Sequence, residues 1–221
     1  MNNDKISAFI DKYKYRFIIE KTNLFYKIIK PGMTIIDCGA CLGYYSILAY
    51  SIMKGIGTVV AIEPELNNFY TIGENAKELD CPGIIGINKA LSNIKKIGVL
   101  NVGPRVGWHS LNICHWEGRE QEVEIDTLDN VLSDLNISNV NILKIDIEGQ
   151  ELKLLEEART TIANSEDIYI FLETHYDHIT RKEVFEYAHD NNFITFDVFT
   201  GNIVKEYKEC STELLCTRGI L

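Results

Sequence analysis

The 221-residue chain has no apolar run near the roughly 18 residues that a membrane-crossing helix needs. Its longest stretch worth weighing, Tyr44 to Met53, is too short, so no membrane span is expected. It also lacks a leader pattern. The opening MNNDKISAF is polar and no apolar segment follows it, so no signal peptide and a cytoplasmic location are expected. Basic residues are in deficit: 22 Lys and Arg against 32 Asp and Glu leave a net charge of −10. That field disfavours loose binding to phosphate backbones, and no nucleic-acid partner is expected. Cysteine is sparse and unpatterned. Of six, only Cys38 and Cys41 form a C-x-x-C, and no second such pair exists to complete a zinc site. The thiols read as reduced, with no metal expected. There is no internal repeat, low-complexity tract or linker, so residues 1–221 are expected to form one domain, with 1–30 as a helical segment packing on it.

What is present is a rhythm of short apolar strands and amphipathic helices. A first helix is expected from Ser7 to about Lys30, with Ile10, Phe17, Leu24 and Ile28 on its apolar face and Pro31-Gly32 ending it. Met33 to Cys38, Thr58 to Ile62 and Ile84 to Ile87 read as strands, separated by helices from about Gly43 to Met53 and Glu65 to Leu79. Further core strands are expected at Asn141–Ile145 and Ile168–Leu172, with a helix from about Gly149 to Ala163 between them. Strands apolar almost throughout belong in a parallel sheet covered on both faces, giving an α/β fold. Asp126 is expected to cap a short helix, and Thr180 with Glu183 to form a capping box for a helix ending near Asn191. The closing strands, Phe193–Phe199 and Glu213–Cys216 with Ile203–Tyr207 beside them, imply an antiparallel C-terminal edge. Between strands at Lys96–Val102 and Gln121–Ile125 lies a polar, ring-rich excursion, residues 103–120, at the sheet edge or over the site.

Four core strands run into acids at their carboxyl ends: Asp37, Glu63, Asp146 and Glu173. Ligands of open α/β sheets bind at those ends. Carboxylates gathered around one crevice repel one another, which points to a ligand with cations or hydroxyls that uses them. In the turn Asp37-Cys38-Gly39-Ala40-Cys41-Leu42-Gly43, Gly39 allows a tight backbone turn beside a ligand and Gly43 opens the next helix. This is not the dinucleotide fingerprint G-x-G-x-x-G, and a leading acid suits a pyrophosphate badly. It suits S-adenosylmethionine, which carries an ammonium, a sulfonium and a ribose diol but no phosphate. Asp37, Gly39, Ala40, Gly43, Tyr45, Glu63, Asn68, Ala90 and Asp146 are therefore the cofactor-binding candidates. Asp146 and Glu148, one residue apart, leave an extended segment on one side. Glu173 and His175 repeat that spacing. These four are the catalytic candidates, with His175 the leading base because its unperturbed pKa lies near neutrality. Trp108, His109, His115, Trp116 and Arg119 are candidates for acceptor contact.

Taken together, PGMTIIDCGACLGYYS (31–46), VVAIEPELNNF (59–69), NKALSN (88–93), VEIDTLDNVL (123–132), NILKIDIEGQELKLLEEA (141–158) and IYIFLETH (168–175) resemble the FkbM family of S-adenosylmethionine-dependent methyltransferases in order and spacing. The resemblance covers about residues 28–176. It implies a Rossmann-like class I methyltransferase sandwich with a mostly parallel seven-stranded sheet. It also implies O-methylation of a sugar, glycolipid or other small metabolite, with a small-molecule or glycan acceptor and a possible homo-oligomer. By that resemblance Asp37, Gly39 and Gly43 line the methionine end, Glu63 binds the ribose, and NKALSN approaches the adenine. Two rival readings stay open: a nucleotide-dependent oxidoreductase on the same fold, and a non-catalytic cofactor-binding or scaffold domain.

Overall fold

A computed structural model describes residues 3–13, 18–112, 117–174 and 178–219. The chain begins with two helices, α1 (Asn3–Tyr13) and α2 (Ile19–Ile28), where the sequence predicts one from Ser7. Ser7 lies inside α1 rather than capping it, and Ile18 is extended (φ −72°, ψ 119°), so α2 starts afresh there. Then follow β1 (Thr34–Cys38), α3 (Tyr44–Ile52), β2 (Thr58–Ile62), α4 (Leu66–Glu78), β3 (Ile84–Ile87) and β4 (Ala90–Leu91). The excursion is built on β5 (Lys96–Val102), β6 (His109–Ser110) and β7 (Arg119–Asp126). The second half runs α5 (Leu128–Asp134), β8 (Ile142–Ile145), α6 (Glu151–Glu157), α7 (Arg159–Asn164), β9 (Tyr169–Glu173), α8 (His178–Asp190), β10 (Ile194–Asp197) and β11 (Glu213–Thr217).

The main sheet has seven strands in the order β10-β11-β9-β8-β1-β2-β3. All neighbours pair in parallel except β11, which is antiparallel to both β9 and β10. The antiparallel pairing expected near the C-terminal edge is therefore present. Strand order reverses between β1 and β8, so the crevice of the doubly wound sheet opens above those two strands. The apolar residues of the strands divide into two layers. One packs Ile36, Val60, Leu143 and Ile170 under α5–α8, and the other packs Ile35, Val59, Ile142 and Phe171 under α1–α3. A second sheet, β4-β7-β5-β6, carries its own small core of Ala90, Leu100, Val102, Val123 and Ile125.

Some local predictions shift. Thr127, not Asp126, caps α5, its side chain accepting from the Asn130 N–H at 3.3 Å. Asp126 sits one residue earlier and bonds the Thr127 N–H and the Asn130 amide. The helix predicted over 149–163 is two, broken at Ala158 (ψ 32°). Thr180 falls inside α8, which starts at His178, so it does not open the helix. Of the side strand predicted at 203–207 only one bridge, Phe196 to Ile203, forms, followed by a 3-10 turn at Tyr207–Glu209.

Gly39 is the tightest backbone contact in the crevice floor. Its φ is +75°, and a Cβ there would lie 1.8 Å from the Asp146 carbonyl oxygen. Both facts demand glycine. Replacing Gly39 by Ala is expected to cost about 3 kcal/mol or more in urea denaturation. In α4, Gly73→Ala meets nothing within 4 Å at an ordinary φ. It is expected to stabilise by about 0.5–1 kcal/mol, since Ala gives up less backbone freedom in a helix.

Candidate active site

A cleft opens above β1, β2 and β8, at the strand ends where open α/β sheets bind their ligands. Gly39, Glu63, Asn68, Ala90, Asp146 and Glu148 of the candidate residues line it, joined by Leu91, Leu100, His109 and Leu111. A second cavity of about 240 Å³ adjoins it, lined by Lys21, Tyr45, Trp108, Asp146, Glu148 and Glu173 among others. Cys41, Gly107, Asp146 and Glu148 border both.

Glu63 is fixed at the carboxyl end of β2. Its two oxygens accept from the backbone N–H groups of Cys41 (2.8 Å) and Glu65 (3.0 Å). A carboxylate has about four acceptor positions, so a lone pair remains on each oxygen for a ligand's hydroxyls. Burial pushes this carboxyl up to about 7, against the pull of the Glu65 and Cys41 N–H bonds. Glu65 caps α4 by accepting from the Asn68 N–H at 2.7 Å and is tied to Arg119 by an ion pair.

The acids at the strand ends are not an unopposed ring. Asp37 is buried at the end of β1 and touches neither cavity; its carboxylate accepts from Ser46 Oγ at 2.7 Å and pairs with Lys144 Nζ at 3.0 Å. Lys144 comes from the middle of β8, fully buried, and also reaches Asp146 (3.6 Å) and the Gly39 carbonyl (3.2 Å). Burial opposes its charge, but Asp37 and Asp146 outweigh it and raise its pKa above the ordinary lysine value. The expectation that the acids gather there only because a ligand's hydroxyls, amines or cations use them is thus corrected: the fold supplies an ammonium of its own to Asp37 and Asp146. Sequence reasoning missed Lys144, although a lysine inside an otherwise apolar strand was a signal.

Other candidates fall in different places. Ala40 and Gly43 lie beside the turn, packed against Ile72, and line neither cavity. Gly43 caps α3 with φ 83°. Tyr45 is buried and borders the second cavity, its ring 5.4 Å from Lys21 Nζ and 5.6 Å from Lys144 Nζ. Glu173 pairs with Lys21 of α2 at 3.3 Å. Glu148 has φ 53°, and its carbonyl accepts from Ser110 Oγ at 2.6 Å. That bond, with Asn112 Nδ2 to the Gly149 carbonyl (3.2 Å), pins the excursion across the acid loop. Trp108 and His109 of the excursion face the second cavity and the cleft respectively. His175, His115, Trp116 and Cys114 lie outside the described residues, as does Phe17. Burial pushes the Cys41 thiol up to about 12 and the Cys38 thiol up as well. Among the described residues no group of three or more His, Cys, Asp or Glu is placed to hold a metal ion, and no helix is long and apolar enough to cross a membrane.

Comparison with known proteins agrees with this architecture. A family model described as the methyltransferase FkbM domain matches residues 37–199. A methyltransferase FkbM from Methylobacillus flagellatus KT superposes with a TM-score of 0.59 at 16% identity, covering 85% of this chain. The chain spans 44% of the length of that protein. A SAM-dependent methyltransferase from Aquifex aeolicus matches over 99% of this chain and 100% of its own, with a TM-score of 0.52 at 15% identity. Fibrillarin from Aeropyrum pernix, crystallised with natively bound S-adenosyl-L-methionine, gives 0.52 at 11% identity over 86% of this chain and 68% of its own. No functionally curated protein matches in sequence. The fold is that of the class I methyltransferases.

Replacing Lys144 by Met leaves Asp37 and Asp146 without their buried cation. A loss of about 3–5 kcal/mol in chemical denaturation is expected, with partial recovery when Asp37→Asn is added. Because the folded pKa of Lys144 is raised, its contribution is intact below its ordinary value of 10.5 and fades only as pH climbs through the higher folded value.

Proposed function

The chain belongs to the FkbM methyltransferase family, and from that premise we propose that it binds S-adenosylmethionine in the cleft and transfers the methyl group to a hydroxyl of a sugar, glycolipid or other small metabolite. The observation that carries this reading is the charge of the cleft. Glu63, Asp146 and Glu148 line it, and Lys89 is the one cationic side chain among the described lining residues. Lys89 is itself held by Asp126 at 2.7 Å, with Glu124 at 3.9 Å. Such a cleft suits a cationic ligand that carries a diol and no phosphate, and it repels the pyrophosphate of NADH.

The chemistry needs positioning more than activation. The sulfonium of the donor is already a good leaving group, so holding an acceptor oxygen about 3 Å from the methyl supplies much of the rate. Glu63 would take both ribose hydroxyls on its free lone pairs. Ala90, Leu91, Leu100 and Leu111 would enclose the adenine, with the turn at Gly39 beside the methionine part. The acceptor would enter the second cavity, where Asp146, Glu148 and Glu173 are within reach as proton acceptors and Trp108 offers an aromatic face. His175 is a further base candidate in this reading.

Titration calorimetry with S-adenosylhomocysteine, NADH and ATP tests the assignment. Only S-adenosylhomocysteine is expected to bind; tight binding of NADH alone would overturn the reading. Glu63→Gln leaves one of the two backbone N–H groups facing an amide NH₂ and is expected to weaken binding about 10- to 100-fold. Glu63 titrates at about 7, and its ionised form is the better acceptor, so affinity is expected to rise from pH 6 to pH 8 in the native protein and to lose that dependence in the variant.

A further inference from the structure

Behind the second cavity lies a group of side chains that the cofactor cleft does not use. Glu173 at the end of β9 and Glu213 at the start of β11 are direct cross-strand partners in the antiparallel pair. Side chains so placed stand close together, and like charges there repel. Lys21 of α2 reaches both, lying 2.6 Å from Glu213 Oε2 and 3.3 Å from Glu173 Oε2. Lys21 and Glu213 are fully buried, whereas Glu173 opens onto the cavity beside Asp146 and Glu148. Apart from that ammonium, neither Glu213 oxygen meets a donor among the described residues. Two carboxyl groups drawn to one ammonium, the Glu213 one buried and the Glu173 one partly exposed, repel each other, and sharing a proton relieves that repulsion.

Resting on the methyltransferase reading, we propose that Glu173 and Glu213 act as one proton-sharing pair, held by Lys21, that accepts the proton of the acceptor hydroxyl in the second cavity. In the step, the acceptor oxygen forms its bond to the methyl carbon and the carbon–sulfur bond breaks. The bonding pair goes to sulfur, which becomes a neutral thioether. The hydroxyl proton passes to a Glu173 oxygen of the unprotonated pair, becomes the proton it shares with Glu213 and leaves to solvent through the cavity before the next turnover. Glu173 is the member that touches the acceptor; Glu213 and Lys21 are positioning residues that set its basicity. Burial pushes Glu213 up to about 8, the Lys21 charge opposing and the Glu173 contact reinforcing the shift. A pair that takes its first proton there is matched to chemistry near neutrality. Among the described residues, the other charged or titratable groups at this place are Lys144 of β8, Asp146 and Glu148 in the turn after it, and Tyr45 of α3.

The test needs no acceptor. Carboxyl carbons of glutamate are labelled with ¹³C in the full chain and followed by NMR from pH 4 to 10, in the apoprotein and with saturating S-adenosylmethionine or S-adenosylhomocysteine. One shared titration with a midpoint near 8 is expected from Glu173 and Glu213. In Glu213→Gln the Glu173 midpoint is expected to fall by at least about two units, because the lysine then serves one acid alone. Glu173→Gln is expected to lower the Glu213 midpoint in the same way, which keeps the test available if one variant fails to fold. Independent titrations of both acids below pH 5 would refute the shared proton. The sulfonium is the charge by which the two ligands differ, so the midpoint is expected to lie at least about half a unit lower with S-adenosylmethionine than with S-adenosylhomocysteine. Equal midpoints would place the pair too far from the reacting methyl and end its role as base. If neither ligand binds, the methyltransferase reading fails while the apoprotein titration still decides the pair.

Discussion

The crevice depends on the ammonium of Lys144, buried beneath the turn that follows β1. Ion burial is expensive, and a carboxylate such as Asp37 at the end of an internal strand would be forced to protonate or to open the sheet if left alone. Lys144 meets it from the adjacent strand, one register step from Asp146, and spends a third contact on the Gly39 carbonyl. The same ammonium therefore ties together the end of β1, the glycine turn and the end of β8. Those three pieces are the floor of the cleft. Lys21 repeats the device further along the sheet, where α2 brings it to Glu173 and Glu213. The acidic character at the mouth of the sheet is what remains after these two internal cations have been counted.

That remainder shapes ligand choice. Asp37 is neutralised within the fold and cannot serve as a free anion, so the negative face offered to a ligand comes from Glu63, Asp146 and Glu148. Glu63 is the most constrained of them. Two backbone N–H groups hold it, while burial works against its charge. A carboxyl raised in this way is one whose lone pairs a ligand can use to advantage, since hydroxyl donors restore what desolvation removed.

Much of the fold is legible in the sequence because it is local. Strands such as Thr58–Ile62 and Ile142–Ile145 are short apolar runs ending in acids, and the glycines at 39 and 43 mark the turn. The position of the crevice follows from those strand ends. The ion pairs do not show, because they join distant parts of the chain. Lys21 and Glu173 are 152 residues apart. Lys21, flanked by Glu20 and Thr22, reads as a solvated helix face, and nothing nearby reveals that it points into the sheet. The excursion was legible as lying at the sheet edge or over the site, but the bonds that hold it there were not. Its anchoring bonds, Ser110 to Glu148 and Asn112 to Gly149, also join segments far apart in sequence. The break between α1 and α2 was hidden by apolar residues that continue at helical spacing through it.

Strain marks the same place. Cys41 (φ 54°) and Glu148 (φ 53°) adopt a left-handed backbone without being glycine, and each lines both cavities. Such conformations cost of order 1–3 kcal/mol each and last only where the surroundings over-determine them. The surroundings here are identifiable. The Cys41 N–H is held by Glu63 and the Glu148 carbonyl by Ser110, while Glu151 accepts from the N–H groups of Ile147 and Gly149. The turn after β1 and the turn after β8 are thus each locked by a side chain from a neighbouring segment. A donor bound in the cleft and an acceptor in the second cavity would meet between those two turns, where a rigid backbone preserves alignment that flexible loops would lose. Pre-organisation at that border, rather than any single acidic group, is what the strained residues and their bonds provide to in-line transfer.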